Sequence, residues 1–414
     1  MYKPGAEPRL APGEILSLAV EKCVPGGEGL ALYEGKRILI PLSAPGDRLL
    51  VKVGEDRGSW VRGEIAAVEE ASPLRIEAPC PLYGICGGCS FQHLSYEAQL
   101  KLKEEILGGL LKQVFPETGG FQTSAAVSSE PWGYRNRLSL HAVRANRGSG
   151  AGFMARQSGR IIPLEDCPVA AAPVRSALAA LRPPPGKDRF TVYGRWETLL
   201  AEGGTRLGRE SLPERGKIRL LDREITLDAS CFFQSNGTML ERLIPPLRAA
   251  AERALGGAVP SKGRRFRGLP RMADLYAGTG TFSLFLADLF PGGADLLESG
   301  GPSLSLAKIN LNRAWPGGKF RFLCQKDEHW AKNESPDWDF AVADPPRQGL
   351  SPAMVRRIRE EGPPVFVYVS CNPSSFARDC SILKEAYAME ELRLFDFYPQ
   401  TAHIEIMGVF IRRV

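Results

Sequence analysis

The most constraining feature of this chain is a set of short, wholly apolar runs in its last third, MADLYA, ADLLE, DFAVAD and VFVYVS, separated by helix-forming stretches such as TMLERLIPPLRAAAERAL. Strands that are apolar on both faces must be covered on both faces. The intervening helices supply the crossovers, so the pattern predicts a doubly wound, Rossmann-like α/β domain over 231–414, with its ligand at the carboxyl ends of the strands. The chain before it reads differently. From Gly13 to about Glu70, short alternations (ILSLAV, GLALYEG, KRILIPL, LLVKVGE, WVRGEIAAV) are broken by Pro25-Gly-Gly and Pro45-Gly46-Asp47, which predicts a small antiparallel β-barrel within 1–75. Ser95 caps a run of helix formers reaching about Gln113. A central domain over 76–230 is mainly β from residue 122, with runs RLSLHAV, GRIIPL and FTVYG around a Pro183-Pro-Pro-Gly loop.

No window approaches the roughly 18 apolar residues of a membrane span. The amino end, Met1-Tyr-Lys-Pro, lacks the apolar core of a secretory signal, so a reducing, cytoplasmic setting is expected. Nine cysteines there need a reason other than disulfides. Four group by spacing, Cys80-x5-Cys86-x2-Cys89 and then Cys167, beside Gly87 and Gly88. Four thiolates suit an iron–sulfur cluster or tetrahedral zinc; the x5 gap, longer than zinc sites use, favours iron–sulfur. The spacing also differs from that of radical S-adenosylmethionine enzymes, which points to a structural or redox-sensing cluster. Cys23, Cys231, Cys324 and Cys380 read as small core residues.

Charge is uneven although 53 Lys+Arg against 47 Asp+Glu leave a net of only +6. Residues 131–160 hold six arginines and no acid, interleaved with Trp132, Tyr134, His141 and Phe153. Guanidinium groups pair with phosphates and stack on bases, so this segment reads as an RNA surface, with a solvated basic strand face as the alternative. Lys262, Arg264, Arg265, Arg267 and Arg271 form a second basic cluster.

The candidate chemistry sits at strand ends. Asp274-Leu-Tyr-Ala-Gly278-Thr-Gly280-Thr281-Phe-Ser283 is a strand, a Gly-x-Gly turn and a helix start, and Glu298 ends the next strand, placed to hold ribose hydroxyls. Ser283 stands where a dinucleotide fingerprint has its third glycine, which favours S-adenosylmethionine (SAM) over NAD. Asp344-Pro-Pro-Arg347 and Ser370-Cys371-Asn372-Pro373 close two further apolar strands. Cys371 is a candidate nucleophile, with Arg347 to favour its thiolate; a buried inert thiol is the alternative. In HIEIMGVF, strand alternation puts His403 and Glu405 on one face, and Glu405 is a candidate base.

Phe232-Phe-Gln234-Ser-Asn236, the Asp274 and Asp344 motifs, Ser370-Cys-Asn-Pro373 and His403-x-Glu405 together closely resemble the RNA 5-methyluridine methyltransferases. Adding the cysteine set and a barrel like the TRAM domain, the chain resembles the branch that modifies 23S ribosomal RNA. The resemblance implies a [4Fe-4S] cluster on Cys80, Cys86, Cys89 and Cys167. It implies that Cys371 adds to carbon 6 of uracil and that Glu405 removes the carbon 5 proton. Gln234, Tyr276, Thr281, Glu298 and Asp344 would line the SAM pocket, Gln234 and Asp344 would also reach the uracil, and Asp327 would serve the adenine side. Tyr134, Arg135, Asn136, Arg137 and Arg347 would contact RNA. Two departures stand out: Ala277 replaces a frequent Cys, and Ser-Gly-Gly-Pro after Glu298 should delay the following helix. The implied activity is SAM-dependent methylation of a 23S rRNA uridine by a cytoplasmic monomer; the same chemistry on tRNA, or a non-catalytic iron–sulfur RNA-binding factor, are the alternatives.

Overall fold

The computed structural model describes residues 10–116, 122–145, 148–256 and 268–413. Arg147 of the arginine-rich segment and Lys262, Arg264, Arg265 and Arg267 of the second basic cluster lie outside the described residues. The chain forms two compact units: one of residues 1–108, 154–160 and 398–403, the other of 109–153, 161–397 and 404–414. The central β-rich stretch and the C-terminal sheet share the second unit, where the sequence suggests two domains. Among the described residues no helix is long and apolar enough to cross a membrane.

In the first unit, strands Ile15–Ala19, Lys22–Cys23, Gly29–Tyr33, Lys36–Ile40, Arg48–Asp56 and Trp60–Glu70 form one six-stranded sheet. Period-2 alternation puts Leu16, Leu18, Ile38, Ile40, Leu49, Val51, Val53 and Val61 into one core. All pairings are antiparallel, as expected, except that Lys36–Ile40 runs parallel to Trp60–Glu70. The helix Tyr96–Val114 follows, and the Ser95 hydroxyl accepts from Ala98 N at 3.3 Å as its cap.

The second unit is built on an eight-stranded sheet. Its order is Phe320–Cys324, Gly293–Glu298, Arg271–Leu275, Phe340–Ala343, Val365–Ser370, Glu405–Arg412, Tyr387–Phe395 and Gln122–Thr123. The first five strands are parallel, and sequence order reverses between Arg271–Leu275 and Phe340–Ala343, which opens a crevice at their carboxyl ends. Glu405–Arg412 is inserted antiparallel beside Val365–Ser370, pairing Ser370 with Ile406. An antiparallel strand begins where its parallel neighbours end, so this insertion delivers the start of the last strand to the same crevice. That strand is buried on both faces over most of its length and starts at Glu405, so His403 precedes it instead of sharing an alternating face; His403 belongs to the first unit, its ring edge-on to Tyr398.

A five-stranded sheet (Ile161–Pro163, Gly148–Met154, Arg137–Ala145, Arg189–Arg195, Thr198–Ala201), antiparallel across its last four strands, and a hairpin (Arg215–Leu220 with Arg223–Asp228) complete the unit with smaller pieces. Ser299 and the N-cap Gly300 separate Glu298 from the helix Gly301–Ala314. On it, the wholly buried Asn310 clamps two other elements: its Oδ1 accepts from Thr226 N at 2.8 Å, and its Nδ2 donates to the Thr226 and Thr279 carbonyls, each at 3.2 Å. Thr279 lies inside the Gly-x-Gly turn, so the clamp fixes that turn against the hairpin. Asn310→Leu leaves three buried backbone groups unpaired and should cost about 2–4 kcal/mol. Urea unfolding checks this; an unchanged midpoint would mean that the clamp carries no stability.

Candidate active site

Five strand ends converge over the crevice. Arg271–Leu275 delivers Asp274, whose Oδ2 accepts from Ser283 N at 3.0 Å and from the Ser283 hydroxyl at 2.8 Å. Ser283 therefore ties the first helical turn back to the strand, the use the chain makes of a position where dinucleotide folds keep glycine. Tyr276 has φ +63°, an uncommon backbone state for an aromatic residue, and its hydroxyl donates to Asp327 Oδ2 at 2.6 Å. Gly278 and Gly280 also have positive φ, +54° and +78°, and a Cβ at Gly280 would lie 3.0 Å from the Ala307 side chain. The turn is thus bare backbone, suited to close approach by a ligand. Glu298 accepts from Gly278 N at 3.0 Å and Gly300 N at 2.6 Å, which holds its carboxylate at the mouth of the turn. Thr281 opens the helix Thr281–Leu286.

Across the switch point, Asp344 Oδ2 accepts from Gln234 Nε2 at 3.3 Å. The loop after Asp344 is tied to the cysteine loop, because the Arg347 carbonyl accepts from Asn372 Nδ2 at 2.8 Å and from the Ser375 hydroxyl at 3.0 Å. Asn372 also caps the helix Pro373–Leu383, accepting from Ser374 N at 3.0 Å, so Cys371 sits between a strand end and a fixed cap. Glu405, only 2% exposed, closes the group. Glu405 Oε1 and Gln234 Oε1 are both buried and hydrogen-bond to no described residue. Two orphaned acceptors around one carboxylate are what a site built for a donor-bearing ligand leaves exposed to that ligand.

The electrostatics are dominated by burial of acids near one another. Burial, with the charge of Asp344 added, pushes Glu405 well above its ordinary value. Burial raises Asp344 to about 7 and Asp274 to about 6. The Cys371 thiol is pushed up to about 12, first by burial and then by Glu405 and Asp344; Arg347 pulls it down, as the sequence suggests, but is outweighed. Tyr276 is raised by burial and by its bond to Asp327.

Other expectations divide. Of the segment read as an RNA surface, Tyr134 and Asn136 are buried, and Asn136 is a structural tie: N donates to the Ser235 carbonyl at 2.6 Å, Oδ1 accepts from Gly237 N at 2.9 Å, and Nδ2 donates to the Gly194 carbonyl at 2.8 Å. Burial alternates through the segment leading into the strand Arg137–Ala145, with Tyr134 and Asn136 inward and Arg135 and Arg137 half-buried; the Arg137 guanidinium lies 5.6 Å over the exposed Phe232 ring. Arg347 is exposed. Cys23, Cys231 and Cys380 are buried as expected, but Cys324, at the end of the edge strand, is exposed. Cys80, Cys86 and Cys89 share a loop of the first unit, where Gly88 N points at Cys86 Sγ (3.4 Å) and Cys89 accepts at its carbonyl from Arg156 at 2.9 Å; Cys167 belongs to the second unit. The donor chemistry fits a soft metal or cluster, but among the described residues no three His, Cys, Asp or Glu side chains are gathered into a metal site. The sequence reading missed Asn310 and Asp379, whose carboxylate accepts from Leu350 N at 3.0 Å and Tyr368 Oη at 2.8 Å and so shapes the loop after Arg347. Both are polar residues inside amphipathic helices, with no local motif to mark them.

A sequence model described as tRNA (Uracil-5-)-methyltransferase matches residues 334–414, the part carrying Asp344, Cys371 and Glu405. The chain is 30% identical over 440 residues to a 23S rRNA (uracil(1939)-C(5))-methyltransferase of Shewanella amazonensis, covering 99% of this chain and 98% of that protein. It is 29% identical over 420 residues to an uncharacterized RNA methyltransferase of Treponema denticola, covering 94% and 97%. Among solved structures, Pyrococcus abyssi tRNA (uracil-54, C5)-methyltransferase in complex with S-adenosyl-L-homocysteine shares the fold with a TM-score of 0.69 at 24% identity, over 95% of this chain and 99% of that one.

The raised acids set a pH dependence. Asp274 and Asp344 keep protons in the folded state at pH values where the unfolded chain has lost them. Their contribution to stability is therefore full below about pH 4 and is lost as pH rises to about 7. Asp344→Asn should melt like the unaltered protein at pH 4 and at a higher temperature above pH 7. A difference in melting temperature that does not change with pH would contradict the assigned environment.

Proposed function

The chain belongs to the RNA uracil-C5 methyltransferase family and is an RNA uracil-C5 methyltransferase, and from that premise we propose that it methylates a 23S rRNA uridine from SAM through a covalent Cys371 adduct. The carrying observation is the convergence of Cys371, Asp344, Glu405 and the orphaned Gln234 and Glu405 oxygens on one crevice.

Carbon 5 of uracil is a poor nucleophile. Addition of the Cys371 sulfur to carbon 6 breaks the 5,6 double bond and places the electron pair on carbon 5 as an enolate, which attacks the sulfonium methyl and releases S-adenosylhomocysteine. Carbon 5 then bears both methyl and hydrogen. Removal of that proton by Glu405 returns its electrons to the ring, reforms the double bond and expels the thiolate. Arg347 is the cation that favours the thiolate in the first step. Burial, which raises Glu405, also makes its ionised form a stronger proton acceptor. Gln234 and Asp344 would read the polar edge of the base with the free Gln234 oxygen. The excess of acid over base here also suits a donor that is itself a cation: a sulfonium would offset the charge that Asp274 places on Asp344 and Asp344 on Glu405. Gly278, Gly280, Glu298, Tyr276 and Thr281 would hold the donor's amino-acid and ribose parts, and Asp327 its adenine side.

The near full-length relative named for 23S rRNA supports that substrate; the archaeal fold neighbour named for tRNA keeps a tRNA uridine as the second reading. We also read Cys80, Cys86, Cys89 and Cys167 as ligands of a [4Fe-4S] cluster, on the chemistry of the thiol set and the Gly88 amide directed at Cys86. A uridine in a stem must be flipped out to enter the crevice, with Arg135, Arg137 and Arg347 as cations for the flanking backbone.

Three outcomes are expected. Cys371→Ala should lower the methylation rate at least about a thousandfold with SAM binding intact; measurable turnover near the unaltered rate would remove Cys371 as nucleophile. Glu405→Gln should accumulate an RNA adduct that survives denaturing electrophoresis and forms only with SAM present, whereas normal turnover would reassign the base. Anaerobically purified protein should contain about four irons per chain; stoichiometric zinc would replace the cluster assignment.

A further inference from the structure

Two hairpin tips in the second unit break the usual rules in the same way. Arg195 pairs with Thr198 and Leu220 with Arg223, so both tips are two-residue loops, Trp196-Glu197 and Leu221-Asp222. The first residue of each has left-handed backbone, φ +52° at Trp196 and +50° at Leu221, a position that normally goes to Gly, Asn or Asp. Both are instead large and apolar, and both are exposed, Trp196 at 62% and Leu221 at 40%. Neither the backbone nor the surface gains from this choice.

The tips are fixed to each other and to the crevice. Glu241 Oε1 accepts from Arg195 Nη2 at 2.6 Å and from Leu221 N at 3.3 Å, so one carboxylate oxygen holds both loops. The Leu221 carbonyl accepts from Arg219 Nε at 3.1 Å, which keeps an exposed cation at that tip. Arg195 is only 5% exposed, and its guanidinium lies 5.0 Å from the centre of the Trp196 ring. Its other side fills the space where a Gly237 side chain would be: a Cβ there would fall 1.4 Å from Nη1. Gly237 is three residues beyond Gln234, so the Trp196 ring is mounted, through one buried guanidinium, on the turn that carries Gln234 to the crevice. A ring backed by a cation on one face and exposed over the rest is a platform for a nucleobase.

We propose that Trp196, backed by Arg195, is a stacking platform for an unpaired nucleotide flanking the target uridine, with Arg219 facing the adjoining phosphate. This rests on the RNA methyltransferase reading above and adds to it a binding site outside the catalytic crevice. RNA is the occupant because the platform is continuous with the crevice through Arg195 and Gly237 and because a flipped base leaves its neighbours unstacked. Glu197 and Asp222 share the tips, so the platform would act by stacking more than by phosphate attraction.

The test is Trp196→Asn in the full-length protein, with Trp196→Phe beside it. Asn suits a left-handed position, so the fold should be kept or stabilised, read by an unchanged or higher melting temperature. With a 23S rRNA transcript, Asn should raise KM and the dissociation constant about tenfold, with kcat and SAM affinity unchanged, and Phe should recover most of the loss. Unchanged RNA affinity and KM in a folded Trp196→Asn protein would overturn the platform, leaving the exposed tips to a protein partner. A loss confined to kcat would overturn it as well, since it would place Trp196 in the chemistry. If the unaltered protein methylates neither rRNA nor tRNA, the functional reading fails and takes the platform with it; methylation by the unaltered protein with no change in the variant defeats the platform alone.

Discussion

A sheet whose strands are buried on both faces has no room for polar chemistry along its length. Phe340–Ala343 is apolar throughout, and Val365–Ser370 carries only the Tyr368 hydroxyl, taken up by Asp379, before its last residue, so the polar side chains left for chemistry on these paths appear where the strands stop. Parallel strands stop on the same edge, and that geometric fact gathers Asp274, Glu298, Asp344 and Cys371 without any of them being neighbours in sequence. One element would break the rule if it were parallel: the last strand. Running antiparallel, it offers its first residue, Glu405, at the edge where the others offer their last. The direction of a single strand therefore decides whether Glu405 lies at the edge that carries Cys371.

The parts of this arrangement legible in the sequence are those with short periodicity or local motifs. Apolar runs announced the parallel sheet, turn residues announced the first-unit strands, and Gly278-Thr-Gly280 and Asp344-Pro-Pro-Arg347 announced where ligands could approach. Alternation failed at HIEIMGVF because burial on both faces leaves period 2 nothing to record, and the strand in fact begins at Glu405. The same period runs through Tyr134-Arg135-Asn136-Arg137, where it leaves the arginines half-buried and turns Asn136 inward to hold Ser235 and Gly237. Asn310 and Asp379 were invisible because their partners, Thr226, Thr279 and Leu350, are distant in sequence or carry only backbone groups. Tertiary hydrogen bonds to backbone leave no imprint on the partner's identity.

The site's electrostatics follow from the same burial. Burial is the largest cause of each raised acid; Asp274 adds to the rise of Asp344 and Asp344 to that of Glu405, with Arg347 the opposing charge on both Cys371 and Glu405. Enclosed in this way, the acids hold their protons to higher pH than free carboxylates do. Asp327 and Tyr276 are meanwhile locked to each other and to Ser351 N (3.2 Å), so the outer rim is set by hydrogen bonds and the inner crevice by unpaired acceptors.

Gly237 has a consequence for how such a sequence can drift. Its missing side chain is the space that the Arg195 guanidinium occupies, so any side chain placed there must displace that guanidinium. Displacing or shortening Arg195 would release Glu241 and the support beneath Trp196. Two sites far apart along the chain are thereby coupled: the effect of a change at position 237 depends on which residue stands at position 195.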